Sequence, residues 1–230
     1  MLLRRFIAHM RKQEWTAFAI DFVLIVFGVY LGMLLNEMRA QHTLEQAAEA
    51  SLVLLADDLN QDIERLDLVA ASQQSRLAAL QRAVDELSAA RPSDAVVGEN
   101  IVAAIGDNKT LMARRTNFDA MQAEGQLNVI DPDLRRLIRL SYGYDFPTLA
   151  EFGLKMDEAQ DGILASCVGR YFNFATRRLI ARTAAEREQL QSCLGYLQEF
   201  SRYYVAVTEG ETRSNAEQLA AALDAHLGAR

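Results

Sequence analysis

Cysteine, histidine and proline are scarce in this 230-residue chain: two, three and three copies. Two cysteines exclude a disulfide-dense scaffold and a zinc module of the CxxC type. The histidines, His9, His42 and His226, are far apart, with no HExxH and no Glu-x-x-His pair. A zinc protease or a di-iron bundle therefore lacks ligands at the required spacing. No GxSxG elbow, phosphate loop or dinucleotide fingerprint is present, and neither cysteine has a histidine near it in sequence. No catalytic residue, metal site or cofactor is expected. A basic surface is lacking too: the formal net charge is −7, which excludes a nucleic-acid binder that must displace counterions. Half the residues are apolar, enough for a real core, so wholesale disorder is excluded.

The charges are distributed unevenly. Residues 1–14 carry Arg4, Arg5, Arg11 and Lys12 against Glu14 alone, whereas 36–230 carry 20 Lys and Arg against 29 Asp and Glu. Between them, 15–35 read WTAFAIDFVLIVFGVYLGMLL, with Asp21 as the single charge. As a helix this stretch rises about 31 Å, the thickness of a bilayer's hydrocarbon core. A cleaved signal peptide would be shorter and end in a small-x-small site, and a buried globular helix would carry more polar residues. The spacing predicts an uncleaved transmembrane helix. The basic flank then puts the N-terminus in the cytoplasm and 36–230 across the membrane, in a bacterium the periplasm. Within 1–14, Leu2, Leu3, Phe6, Ile7 and Met10 follow helical spacing between the basic residues. Arg4, Arg5, Arg11 and Lys12 either meet anionic headgroups from an interfacial helix or only set orientation.

Gly28 and Gly32 form a GxxxG match, and Asp21 lies seven residues before Gly28, on the same helix face. Small residues let helix backbones approach closely, and a carboxylate in lipid costs a few kcal/mol unless it meets a partner. Asp21, Gly28 and Gly32 are therefore the candidate intramembrane contacts; the alternative has Asp21 reaching the interface or taking up a proton.

From about residue 43 to 90 the pattern predicts one long helix. Leu59, Leu66, Gln73, Leu80 and Leu87 form one seven-residue series and Ile63, Ala70, Leu77 and Val84 another, as in a coiled coil or bundle. Asp57, Asp58 and Asp62 read as a solvated acidic face rather than a cation site. Arg91-Pro92 stops the helix. Shorter helices are expected over 96–106 and 117–123 (capped by Thr116, closed by Gly125), and from Pro132 with Asp131 as its cap. Three more are expected from Pro147 toward Phe174, from a turn at 180–183 through Phe200, and over 215–227. Strand signals are nearly absent, so the class is all-α: a transmembrane helix, a long heptad helix and an antiparallel bundle.

Cys167 and Cys193 are equidistant from Ile180, so antiparallel helices folding there bring them to one height. An oxidising compartment then allows a disulfide; a small offset instead leaves two buried thiols apart. Basic clusters at Arg114-Arg115, Arg135-Arg136-Arg139 and Arg177-Arg178-Arg182 hold an anion or, more simply, neutralise the acidic first helix. Tyr142, Tyr144, Tyr203 and Tyr204 line a pocket or, more simply, pack at helix ends.

Two segments carry a resemblance: QEWTAFAIDFVLIVFGVYLGMLLNEM over 13–38, and TNFDAMQAEGQLNVIDPDLRRLIRLSY over 116–142. The first pairs a basic approach and a Trp with an early acid in a glycine-containing span. The second has a short helix, a glycine, a Leu-x-Val-Ile step and an Asp-Pro helix start. Together they resemble an uncharacterised bacterial family of single-span inner-membrane proteins with a helical periplasmic domain. This chain departs from that pattern at the membrane exit, with Leu35-Asn36-Glu37 and no Trp, and at Ala123-Glu124 before Gly125. The resemblance implies location and layout and brings no activity.

Three functions follow as expectations. The first is a non-enzymatic anchor, scaffold or accessory subunit that meets the lipid bilayer and assembles with a second copy or a larger membrane complex. The second is a periplasmic ligand-sensing bundle that signals through a partner. The third is an envelope hydrolase, which clustered carboxylates alone support.

Overall fold

The computed structural model describes residues 14–229, with side-chain surroundings from residue 20 onward. Arg4, Arg5, Arg11 and Lys12 lie outside the described residues. The chain divides into two units, 1–49 and 50–230. It is all-α, with one two-residue strand pair.

Helix α1, Glu14–Leu87, belongs to both units. Separate helices were expected over 15–35 and from 43, but no break intervenes. Residues 36–42, NEMRAQH, contain neither Gly nor Pro and are mostly good helix formers. Thr43 Oγ1 donates to the Arg39 carbonyl at 2.9 Å and Gln41 to Glu45 at 3.2 Å. From residue 20 to 38 the apolar side chains are exposed, and an 18-residue window has mean hydropathy 1.8 with none of it buried. This stretch is long and apolar enough to cross a membrane. At the far end α1 stops at Leu87, three residues short of expectation. Ser88 Oγ turns back to the Val84 carbonyl, and Ala89 N–H donates to the Glu86 carbonyl in a tightened last turn.

In the second unit α1 buries Leu52, Leu59, Leu66, Gln73, Leu80 and Leu87. The companion series differs from expectation. It is Leu55, Asp62, Val69, Arg76 and Ala83, all buried; of the expected series only Ala70 is fully buried, while Ile63, Leu77 and Val84 are half-buried. Asp62 and Arg76 disguise that series as solvent-facing.

Helix α2, Asp94–Gly106, starts two residues early because the Ser93 side chain caps it at Val96 N–H. An irregular segment, 107–115, follows. Helix α3, Thr116–Ala123, has Arg115 at its cap position, not Thr116: the Arg115 carbonyl already accepts Asp119 N–H at 2.8 Å. Gly125 follows at φ +72°, a left-handed conformation natural to glycine. Asp131 Oδ1 caps α4, Pro132–Leu140, accepting from Asp133 and Leu134 N–H at 2.9 and 3.1 Å.

Helix α4 runs without a stop into α5, Phe146–Ile163, through a wide π turn, Ser141–Asp145. A fresh start near Pro147 was expected. The proline has no N–H for an i−4 carbonyl, and the wider turn before it accommodates its ring. A second π turn, Leu164–Val168, and one closing turn, Gly169–Tyr171, lead to β1, Phe172–Asn173. This strand pairs antiparallel with β2, Arg178–Leu179, Phe172 opposite Leu179. The reversal thus falls at 174–177, ahead of the expected 180–183. Asn173 Oδ1 accepts Thr176 N–H at 3.0 Å, and Arg177 takes φ +52°.

Thr183 and Glu186 form a reciprocal capping box for α6, Ala184–Val207. A kink at Gly210, whose φ −87° and ψ −113° lie outside the helical region, separates it within Thr208–Thr212 from α7, Arg213–Gly228, which buries Ala216, Leu219 and Leu223. The core between the end of α1, α2, the strand pair and α6 holds Leu80, Leu87, Ile101, Phe172, Leu179 and Leu194. Cys167, in the second π turn, is bonded to Cys193 of α6, with Cα atoms 6.3 Å apart.

Two predictions follow. A Cβ added at Gly98 meets the Arg177 carbonyl oxygen at 2.7 Å, whereas one at Gly195 meets nothing within 4 Å. Gly98→Ala will lower stability by about 1–3 kcal/mol, and Gly195→Ala, mid-helix and unobstructed, will raise it by about 0.5–1 kcal/mol. Thermal unfolding in detergent, followed by circular dichroism, distinguishes the two signs. The disulfide spans 26 residues. Its loss in Cys167→Ser/Cys193→Ser will cost about 3 kcal/mol of unfolding free energy in urea.

Candidate functional site

The first candidate is the face bearing Asp21, Gly28 and Gly32. All three are exposed, and a Cβ at either glycine meets nothing within 4 Å. No described residue packs on this stripe.

The second candidate is the buried polar part of α1. Asp62 is fully buried, and its two carboxylate oxygens share the Arg114 backbone N–H at 3.1 Å each. Arg65 donates to Asp62 at 3.0 Å and the Tyr142 hydroxyl at 3.4 Å. Asp58, also buried, accepts from Asn117 at 2.7 Å. The solvated-face reading therefore fails for Asp58 and Asp62. Burial pushes the Asp62 pKa up, against the Arg114 N–H and Arg65. Burial, with the Asp62 and Asp58 charges, raises that of Tyr142.

Further along, Ser72 Oγ donates to the Asp107 carbonyl at 2.6 Å, and Gln73 to the Lys109 carbonyl at 2.7 Å. Arg76 donates to Asn108 Oδ1, and the Asn108 amide donates to Asp157 at 2.6 Å. The asparagine thus links a buried guanidinium to a carboxylate. Burial pushes the Arg76 pKa down to about 10, against Asp157. The Tyr204 hydroxyl accepts Leu111 N–H at 2.7 Å. Most of these contacts hold segment 107–115, or the helix start after it, against the helices, and Arg65 and Tyr142 brace the Asp62 carboxylate that does so. The arrangement positions backbone; it aligns no nucleophile with a base.

In the first and third arginine clusters, the bonded partners are mostly not α1 side chains. Arg114 offers Asp62 its backbone, Arg115 pairs with Asp119, and Arg182 lies 3.7 Å from Asp94. Among the described residues, α1 carboxylates pair with other arginines, Asp62 with Arg65 and Asp67 with Arg213. Asp94, Glu99, Thr176, Arg177 and Arg178 line a mixed-charge cleft of about 470 Å³. Among the described residues no three His, Cys, Asp or Glu side chains come together for a metal.

The tyrosines separate into two kinds. Tyr142 and Tyr204 are buried packing residues with bonded hydroxyls, whereas Tyr144 and Tyr203 are exposed. Tyr203 joins Phe152, Tyr196, Glu199 and Phe200 around an apolar groove of about 290 Å³. Sequence reasoning missed this groove. Tyr196, Phe200 and Tyr203 repeat at helical spacing, a usable signal, but Phe152 arrives from α5 and carries none.

Compared with family models, curated proteins and solved structures, the chain matches none. Its own geometry therefore carries the functional argument.

Asp62 yields a pH prediction. With its pKa raised on folding, the native state holds a proton that the unfolded chain releases. Stability then falls as pH rises from the ordinary carboxylate value, 3.8, toward the raised one. Unfolding titrations across that window will show wild type losing stability relative to Asp62→Asn as pH rises. Parallel curves would show that Asp62 does not contribute this linkage.

Proposed function

We propose that the protein is a non-enzymatic, membrane-anchored interaction protein, an accessory or scaffold subunit of a bacterial inner-membrane assembly. The single observation that carries this reading is the exposed apolar stretch of α1, with mean hydropathy 1.8 and none of it buried. Such a surface needs a bilayer or partner helices to cover it. The basic residues before it favour a cytoplasmic N-terminus, and residues 36–230 then lie in the periplasm. The Cys167–Cys193 bond suits that oxidising compartment. In this reading the second half of α1 is the heptad spine of an antiparallel helical bundle, which presents its outer surface to partners. Asp21, Gly28 and Gly32 meet another helix within the membrane, either of a second copy or of a larger complex.

Mild-detergent extraction at native expression, followed by native-mass sizing and identification of co-migrating proteins, tests the proposal. A discrete assembly is the expected result; a bare monomer overturns it. Asp21→Leu and Gly28→Ile will each shrink that assembly while membrane insertion is retained. An unchanged mass would remove the assigned face. A C-terminal alkaline phosphatase fusion will be active if the topology is right and inactive if it is inverted.

A further inference from the structure

The open groove between α5 and α6 is lined by four aromatic rings. Tyr196, Phe200 and Tyr203 stand four and three residues apart on α6, so one helix face presents all three. Phe152 of α5 completes the set. Phe152 and Phe200 lie 6.2 Å apart at 39°, forming a tilted floor. Tyr203 stands at 62° to Phe152 with centroids 4.7 Å apart, and Tyr196 at 81° to Phe200 at 4.9 Å. Two steep walls thus rise from the floor, and both tyrosines are more than half exposed.

The fifth lining residue is Glu199, on the helix turn between Tyr196 and Tyr203. Its carboxylate accepts from Arg202 in an exposed pair, and Arg202 does not line the groove. Four aromatic rings, one of them also stacked by Tyr204, and a carboxylate line the groove, and a cation gains from each ring face it meets within about 6 Å of the centroid. A primary ammonium would leave its N–H groups without enough acceptors among these rings. A quaternary ammonium has no N–H to satisfy. The volume, about 290 Å³, sits at the lower edge of ligand pockets and suits a small headgroup. Glu199 repels a second, anionic group on the ligand, which disfavours a betaine carboxylate or a lipid phosphate.

We propose that this groove binds a free quaternary ammonium solute of the choline type. The site belongs to the second unit alone and does not depend on the anchoring reading. The test is calorimetric titration of the full chain, in maltoside micelles at constant ionic strength. The probes are choline, its uncharged isostere with a tert-butyl group in place of trimethylammonium, and glycine betaine. Choline is expected to bind saturably, and the isostere and betaine at least about five-fold more weakly. Tyr196→Leu and Tyr203→Leu keep the groove apolar but remove a π face. Each is expected to weaken choline about two- to five-fold and leave the isostere unchanged. Glu199→Gln is expected to weaken choline and narrow the gap to betaine. Equal binding of choline and isostere would reduce the site to a plain apolar groove and overturn the proposal. So would absence of saturable choline binding to protein whose helical circular dichroism is intact.

Discussion

Irregular backbone packed against helices and partly shielded from water must find hydrogen-bond partners, and segment 107–115 finds them on side chains of the helices around it. Asp62 receives the Arg114 N–H, Ser72 and Gln73 reach the Asp107 and Lys109 carbonyls, and Tyr204 receives the Leu111 N–H. This constraint explains why a helix with a strong apolar repeat also buries Asp62, Gln73 and Arg76. Apolar residues there would fill the space and leave the segment's polar groups orphaned, at a cost of about 1–3 kcal/mol each. The same contacts settle where α3 begins. Arg114 is tied to Asp62 just before Arg115 takes the cap position, and Asn117 is tied to Asp58 one turn on.

Helix α1 carries two surface patterns on one backbone. Its early part puts bulky apolar groups outward all round and is long and apolar enough to cross a membrane. Its later part buries one face and leaves charges such as Asp57, Glu64 and Asp67 outside. Nothing in 36–42 interrupts the hydrogen-bond ladder, so the change of side-chain pattern occurs with no change of secondary structure. The later joints use other devices. Between α6 and α7 Gly210 leaves the helical region at φ −87°, ψ −113° and kinks the chain, whereas two π turns let α4 pass into α5 and α5 into its last turn without a stop. Each adds a residue to the turn and rotates the faces that follow.

Much of the fold was legible because it rests on local chemistry. Asp131-Pro132 and Gly125 mark helix ends through interactions a few residues long. The π turns were not legible, since composition does not announce an extra residue in a helical turn. The short strand pair was missed because two residues are too few for an alternating pattern. The second buried series on α1 was misassigned for a different reason. Periodicity counts apolar residues, and Asp62 and Arg76 count against a face until their partners from 107–115 and α5 are in place.

The sequence by itself determined the helical class, the apolar span with its basic approach, and most helix starts. These depend on side chains within one or two turns of each other. Only the tertiary structure decided which face of α1 is inside, what Asp58, Asp62 and Arg76 bond to, and that Phe152 meets the α6 aromatics. Those contacts join residues some 50 positions apart, and no local rule ranks one such meeting above another. Packing selects them by leaving the fewest buried polar groups unpaired while closing the core.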